Sequence, residues 1–212
     1  MNFKSTCILL INFLITASLF SQSSPSIDQE NWTAQNRELT IEEGVFHLDA
    51  KEGEGIAWLN NSHIENGTIE LEIKGKNNPG RSFVGLAFHK QDDETFDVVY
   101  LRPFNFQNPE KKDKSLQYVS HPDFPWHVLR ENSPGEYENA LNNPPQDVED
   151  WLHLKVEINY PVVKVFVGKE ETPSLVVNKK TSTESGGLGF WVGNNSEGFF
   201  KNLKVTNDLK KK

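Results

Sequence analysis

The stretch Gly67-Thr-Ile-Glu-Leu-Glu-Ile-Lys74 alternates strictly, with Ile69, Leu71 and Ile73 on one side and Glu70, Glu72 and Lys74 on the other. Side chains of an extended chain point alternately to opposite faces, whereas a helix repeats every three to four residues. The period therefore predicts a strand with one face in an apolar core and one in water. Working outward, Ser82 to His89 repeats the pattern, with Val84, Leu86 and Phe88 set against Phe83, Gly85, Ala87 and His89. Trp151 to Ile158 does so again, turning Leu152, Leu154, Val156 and Ile158 inward. Lys76-Asn-Asn-Pro-Gly80, the segment from Asn105 to Lys114, and Asn159-Tyr-Pro161 are turn chemistry between such runs, the last at hairpin distance. No stretch of more than about ten residues shows capped helical periodicity. Many short alternating strands predict an all-β protein, an antiparallel β-sandwich or barrel.

The beginning of the chain reads differently. Lys4 precedes an apolar run from Cys7 to Phe20, followed by Ser21-Gln22-Ser23-Ser24. This is the arrangement of a secretory signal, expected over residues 1–21. The run is shorter than a membrane span and interrupted by Asn12, so no integral membrane segment is expected in the mature chain. The single cysteine, Cys7, stands at the very start of the apolar run, whereas a lipoprotein cysteine would follow it. The expectation is an exported protein, periplasmic or extracellular, not a lipoprotein, with no disulfide in the mature part. Residues 22–212 are read as a single, monomeric β-sandwich domain. Ser23 to Asn36 is polar apart from Trp32, a lead-in strand or loose arm. Residues 122–150, rich in Pro, Asn and Glu, are too long for a hairpin loop and form an insertion that is functional, separately structured or flexible. A formal net charge of −8 argues against nucleic acid as a partner; the terminal Lys210-Lys211-Lys212 reads as a solvated tail.

Five segments then come in a telling order: Phe83-Val-Gly-Leu-Ala-Phe88, Val99-Tyr-Leu-Arg-Pro103, Leu116-Gln-Tyr118, Trp151-Leu-His-Leu-Lys-Val156 and Gly187-Leu-Gly-Phe-Trp191. In this order the chain, over about residues 40 to 206, resembles secreted bacterial members of the concanavalin A-like lectin/glucanase superfamily, and within it the laminin G-like and 3-keto-disaccharide-hydrolase-like domains. The resemblance implies a jelly roll of two antiparallel sheets, with an oligo- or polysaccharide held across a concave sheet face. Such folds serve lectins, hydrolases, lyases and adhesion modules alike, so function has to be argued from the site.

Alternation sorts the candidates. If Val99, Leu101, Leu116 and Tyr118 point into the core, then Tyr100, Arg102, Gln117 and His121 point out, and Gly85, Ala87 and His89 join them. Trp191, flanked by Gly189 and Gly193, also points out and offers an indole plane to a sugar ring. The insertion adds Trp126, Arg130 and, beside them, His127, Glu131, Glu136 and Tyr137. The expected ligand-binding residues are thus His89, Tyr100, Arg102, Gln117, His121, Trp126, Arg130 and Trp191. Each has a structural alternative: Arg102 pairing with Asp97 or Glu94, the histidines as hydrogen-bonded scaffolding, Trp191 as a cap on the core.

Whether the protein is an enzyme stays open. The paired acids that the family-16 glucanases of this superfamily place on one strand are missing: Glu70-Leu-Glu72 is followed by no third acid, and Glu94-Thr-Phe-Asp97 has the wrong spacing. A glycoside hydrolase drawing on Glu131, Glu136 or Glu138, or a polysaccharide lyase using Tyr100 or His121 with Arg102 and Gln117, remains compatible with the residue types. So does a laminin G-like protein-interaction or adhesion module. No cofactor and no catalytic metal are expected, as the histidines lack ligand spacing. A structural calcium has candidate ligands in Glu42-Glu-Gly44 and Asp49-Ala-Lys-Glu-Gly-Glu-Gly55.

Overall fold

The computed structural model describes residues 21–23 and 28–208. The expected signal up to residue 20, with Cys7, and the lysine tail at 210–212 lie outside the described residues. In chain order the strands are β1 (Ser21–Ser23), β2 (Trp32–Gln35), β3 (Leu39–Glu42), β4 (Val45–Leu48), β5 (Gly55–Ile64), β6 (Gly67–Lys74), β7 (Val84–Lys90), β8 (Phe96–Leu101) and β9 (Leu116–His121). After the helix α1 (Trp126–Asn132) come β10 (Glu138–Asn139), β11 (Leu152–Asn159), β12 (Val162–Val167), β13 (Leu175–Asn178), β14 (Gly186–Val192) and β15 (Gly198–Asn207).

They form two antiparallel sheets. One runs β13-β12-β11-β6-β15-β4-β3, with β1 also paired to β15; the other runs β10-β9-β8-β7-β14-β5-β2. Strand β6 shows why the alternation was legible. Ile69, Leu71 and Ile73 are buried and lie opposite Val156, Leu154 and Leu152 of β11, while Glu70 and Glu72 line up with Lys155 and His153 in partial contact with water. Each fully buried aliphatic side chain of this kind contributes about 1.5–3 kcal/mol.

The sheets meet through an aromatic stack. Phe190 of β14 lies 4.4 Å from Phe200 of β15 and 4.7 Å from Trp32 of β2, with Phe46 at its edge. Trp32 is therefore a core residue on a real strand. Because Phe190 faces the opposing sheet, its neighbour Trp191 must face away from it.

The insertion has its own structure. Pro125 precedes α1, and Leu129, Tyr137 and Leu141 are buried. Side-chain amides tie it down: Asn139 Nδ2 donates to the Ser174 carbonyl at 2.8 Å and Asn142 Nδ2 to that of Thr172 at 2.9 Å. Tyr118 and Gln117 both donate to the Tyr137 carbonyl. The segment thus lies along β9, with α1 over the outer face of the seven-stranded sheet. No helix among the described residues is long and apolar enough to cross a membrane.

Candidate functional site

One row of side chains crosses the seven-stranded sheet. Cross-strand partners run Glu138 (β10), Gln117 (β9), Tyr100 (β8), Gly85 (β7), Trp191 (β14), Ile56 (β5) and Gln35 (β2). All share the parity of Trp191, so the row lies on the face turned away from the other sheet. Gly85 in its middle is needed for close approach. A Cβ there would stand 2.3 Å from the Val99 carbonyl oxygen and 2.6 Å from Tyr100 Cβ. With only hydrogen at that position, the rings of Tyr100 and Trp191 close over it to 4.9 Å. The space that Gly85 leaves above the sheet is thus filled by aromatic side chains.

These two rings, only 3% and 4% exposed, floor a cavity of about 290 Å³ whose walls include Val119, His121, Glu54 and Trp126. Trp126, at the first turn of α1, is 46% exposed and stands at its mouth. Glu54 lies just before β5, across the sheet from β9. Its Oε2 accepts the Trp191 indole N–H at 3.2 Å and stands 3.6 Å from His121 Nε2. Among the residues lining this cavity, Glu54 is the sole carboxylate.

Next to it a buried polar cluster holds Arg102. Its Nη2 donates to the Tyr100 hydroxyl at 2.7 Å and to Gln117 Oε1 at 3.2 Å, and its Nη1 to the Lys114 carbonyl at 2.8 Å. Glu138 lies 3.9 Å from this guanidinium but is chelated by Arg130, at 2.9 and 2.5 Å. Burial lowers the Arg102 pKa, and burial pushes the Tyr100 hydroxyl up to about 12 against the pull of that arginine. Tyr100 therefore stays protonated at neutral pH and is unsuited to act as a base. Arg130 moves the other way, its pKa raised by the bonds to Glu138. A second cavity, of about 540 Å³, shares Phe83 and Trp126 with the first, and its lining includes Arg102, Arg130, Lys111, Lys114, and Phe104, Asn105 and Asn108 of the turn after β8.

Of the residues expected from the sequence, the structure brings Tyr100, His121, Trp126 and Trp191 to the first cavity and Arg102, Arg130 and Trp126 to the second. Two expectations are corrected. Gln117 shares the row but is 1% exposed, and its amide is consumed by Arg102 and by the Tyr118 and Tyr137 carbonyls, so it supports Arg102 from beneath. His89 is absent from the face altogether. Its backbone is left-handed (φ +54°), which breaks the alternation at the end of β7, and the ring is wholly buried. There Nε2 meets the Glu65 carbonyl at 3.0 Å and Nδ1 meets Lys179 Nζ at 2.5 Å. Lys179 in turn pairs with Asp97 at 2.7 Å, and Tyr118 donates its hydroxyl to Asp97 at 2.6 Å. Asp97 is therefore the partner of Lys179 and not of Arg102.

Glu54 was not expected at the site because it reaches it from a segment remote in sequence, and Lys111 and Lys114 because they lie in the irregular β8–β9 connection, where alternation assigns no face. Among the described residues no group of three or more His, Cys, Asp or Glu side chains converges as a metal site. In the stretches read for calcium, Asp49 accepts the Glu38 N–H at 2.7 Å and Glu54 serves the cavity. A third cavity, about 500 Å³, is lined in part by Glu43, Glu70, Glu72, His153, Lys201 and Lys204, and within it His153 meets Glu70 and Lys201 pairs with Glu72, both at 3.1 Å.

Comparison with known proteins agrees with this architecture. No curated protein matches the sequence at a significant level. Among solved structures, a carbohydrate-binding module of type CBM66 from Bacillus subtilis superposes with a TM-score of 0.59 at 17% identity, over 82% of this chain and 94% of that one. A Bacillus subtilis protein of unknown function with a galectin-like fold gives 0.59 at 12% identity, covering 91% and 100%. The exoplasmic/lumenal domain of VIP36, solved with Ca²⁺ and Man3GlcNAc, gives 0.59 at 12% identity, covering 92% of each chain. At these identities the likeness concerns the fold, a jelly-roll sandwich. Residues 18–206 match a family model, and the chain accordingly belongs to the family of 3-keto-alpha-glucoside-1,2-lyase-like domains.

Proposed function

We propose that the protein binds a glycan on the outer face of its seven-stranded sheet, in the cavity between Tyr100, Trp191 and the α1 residue Trp126. The observation that carries this reading is the pairing of an aromatic floor, Tyr100 and Trp191 in ring contact at 4.9 Å, with polar groups at the wall, Glu54 and His121. Pyranose rings present apolar C–H faces that pack on aromatic planes, while their hydroxyls need fixed donors and acceptors at the edge. The CBM66 module and the VIP36 lumenal domain, whose folds are similar, are by name a carbohydrate-binding module and a protein solved with a mannose-containing ligand. The same reading takes residues 1–21 as an export signal and 22–212 as one monomeric domain delivered to the periplasm or the outside.

Trp126 gives the cleanest test, because it is the one aromatic of the cavity that is largely exposed and its loss leaves the core intact. On an array of neutral and acidic oligosaccharides, followed by calorimetry with the strongest binder, Trp126→Ala is expected to weaken affinity about tenfold, the worth of one aromatic contact, with an unchanged melting temperature. Absence of any glycan binding, or equal affinity in the variant, rejects the site.

A second reading, a carbohydrate-active enzyme, is favoured by one observation: Glu54 and His121, 3.6 Å apart at the cavity wall, have the composition of a proton-transfer pair. Family membership points the same way, toward cleavage of 3-keto-glucosides by elimination. Loss of product release in Glu54→Gln, with glycan binding retained, would establish it; a wild-type protein that releases nothing from a disaccharide and polysaccharide panel would dismiss it. An adhesion role has less support. Among the described residues the exposed large hydrophobics are Trp126 and Val176, on separate elements, where a protein-binding patch would need a contiguous surface.

A further inference from the structure

The second cavity carries a charge opposite to that of the molecule. The whole chain has a formal net charge of −8, yet Arg102, Arg130, Lys111 and Lys114 all line this cavity and no carboxylate does. Clefts lined by one sign of charge concentrate ligands of the other.

The cations differ in how they are held. Arg102 is only 6% exposed and is fixed by three neutral acceptors: the Tyr100 hydroxyl, Gln117 Oε1 and the Lys114 carbonyl. The carboxylate within reach, Glu138 at 3.9 Å, is already bound by both oxygens to Arg130. Two guanidinium groups thus share one buried carboxylate, and Arg130 and Arg102 repel. Asp113 is the other acid whose field reaches Arg130, and it lies outside the cavity lining. Four cations against these two carboxylates leave a positive excess around a buried guanidinium. Burying a charge without full compensation is unfavourable, and an anion in the cavity would relieve it. Trp126 and Phe83 stand between this cavity and its aromatic neighbour, so a ligand lying on them reaches both.

We propose that this second cavity receives the anionic group, a carboxylate or sulfate, of an acidic glycan whose neighbouring sugar ring stacks on Trp126 and Trp191. The inference rests on the glycan-binding reading above and narrows it to uronate-containing or sulfated chains. Arg102 forms the preorganised base of the anion site, and Lys111 and Lys114 form its solvent-side rim, where Lys111 is exposed and Lys114 half-buried.

The test uses the whole protein and its Lys111→Gln/Lys114→Gln variant, which changes two rim side chains and no buried group. Calorimetry would compare uronic-acid oligosaccharides, sulfated oligosaccharides, neutral gluco-oligosaccharides and inorganic sulfate. The expected result is binding of at least one acidic class, weakened about tenfold in the double variant and again by raising the salt concentration, with neutral sugars binding more weakly and indifferent to both changes. Which acidic class binds identifies the group as carboxylate or sulfate. Equal affinity for acidic and neutral sugars, unaffected by the double substitution, overturns this inference and leaves the glycan reading standing. Inorganic sulfate bound and lost in the variant, with no oligosaccharide of any class bound, overturns both, as does the absence of any binding.

Discussion

His89 shows how one backbone conformation redirects a residue from surface to interior. Counting by alternation from Val84, Leu86 and Phe88 puts it on the outer face beside Gly85 and Ala87, and the count holds as far as Ala87. At His89 the left-handed backbone, uncommon for a side chain with a Cβ, carries the ring into the core against Lys179. Nothing local in Phe88-His-Lys90 announces that turn, because it is imposed by partners far along the chain. The consequence can be measured. Burial first, then the neighbouring Lys179 ammonium, lowers the His89 pKa, and the Glu65 carbonyl, then Asp97 and the Thr183 carbonyl, only partly offset them. The unfolded imidazole has an ordinary pKa of about 6.5 and accepts a proton that the folded one refuses. Stability is therefore full above that value and falls as pH drops through it, by at most about 1.4 kcal/mol per pH unit from this group. Urea midpoints are expected to decline between pH 7.5 and 5. His89→Asn, which tolerates the left-handed backbone, should flatten the decline by the share His89 contributes. Identical slopes in the two proteins would show that His89 does not carry this linkage. Lys179, Asp97 and the Tyr118 hydroxyl, which all face this cluster, remain in both.

At the scale of the strand, β7 sets the spacing of the candidate site. Val84, Leu86 and Phe88 supply the apolar face that the sequence made legible, and the residues between them were legible as small. What they are small for was not. Gly85 lies between Tyr100 and Trp191 in the row across the sheet, and the two rings meet over it. Alternation within a strand says which residues share a face but not which strands are neighbours. Hence Tyr100, Arg102 and Trp191 could be sorted, while Glu54, Lys111 and Lys114 could not be brought to them. Gly85→Ala tests the spacing. Its Cβ would meet backbone at Val99 and the Cα and Cβ of Tyr100, none of which can rotate away. Overpacking of this kind costs about 1–3 kcal/mol, so the urea midpoint should fall. Glycan affinity should fall further than for a substitution of equal destabilisation elsewhere in the core, because the ring pair is forced apart. A variant as stable as the parent would mean that the sheet yields at this position.

At the scale of the whole molecule, the order of strands in the sheets departs from their order in the chain, and hydrophobic periodicity carried no sign of it. Strand β14 is inserted between β7 and β5, and β15 between β6 and β4. The last two strands are therefore central ones. In one sheet the pair β3–β4 reaches β6 only through β15, whose Phe199 and Phe200 pair with His47 and Phe46 on one side and with Lys74 and Ile73 on the other. In the other sheet, β2 and β5 reach β7 only through β14. The core follows the same logic, since Phe190 and Phe200, stacked at 4.4 Å, come from these two strands and join the sheets. Contacts of such long sequence separation require loop closure before they stabilise anything. Neither sheet can be completed until nearly the entire chain is available. A chain ending at Glu184, which keeps thirteen of the strands and most of the apolar residues, is accordingly expected to lack a cooperative thermal transition and to be digested rapidly by protease. Supplying residues 185–212 as a separate peptide should restore some protection if the two strands act only as inserts. A cooperative melt of the truncated chain by itself would show that the first thirteen strands hold together without their centre, contrary to the pairing on which this fold depends.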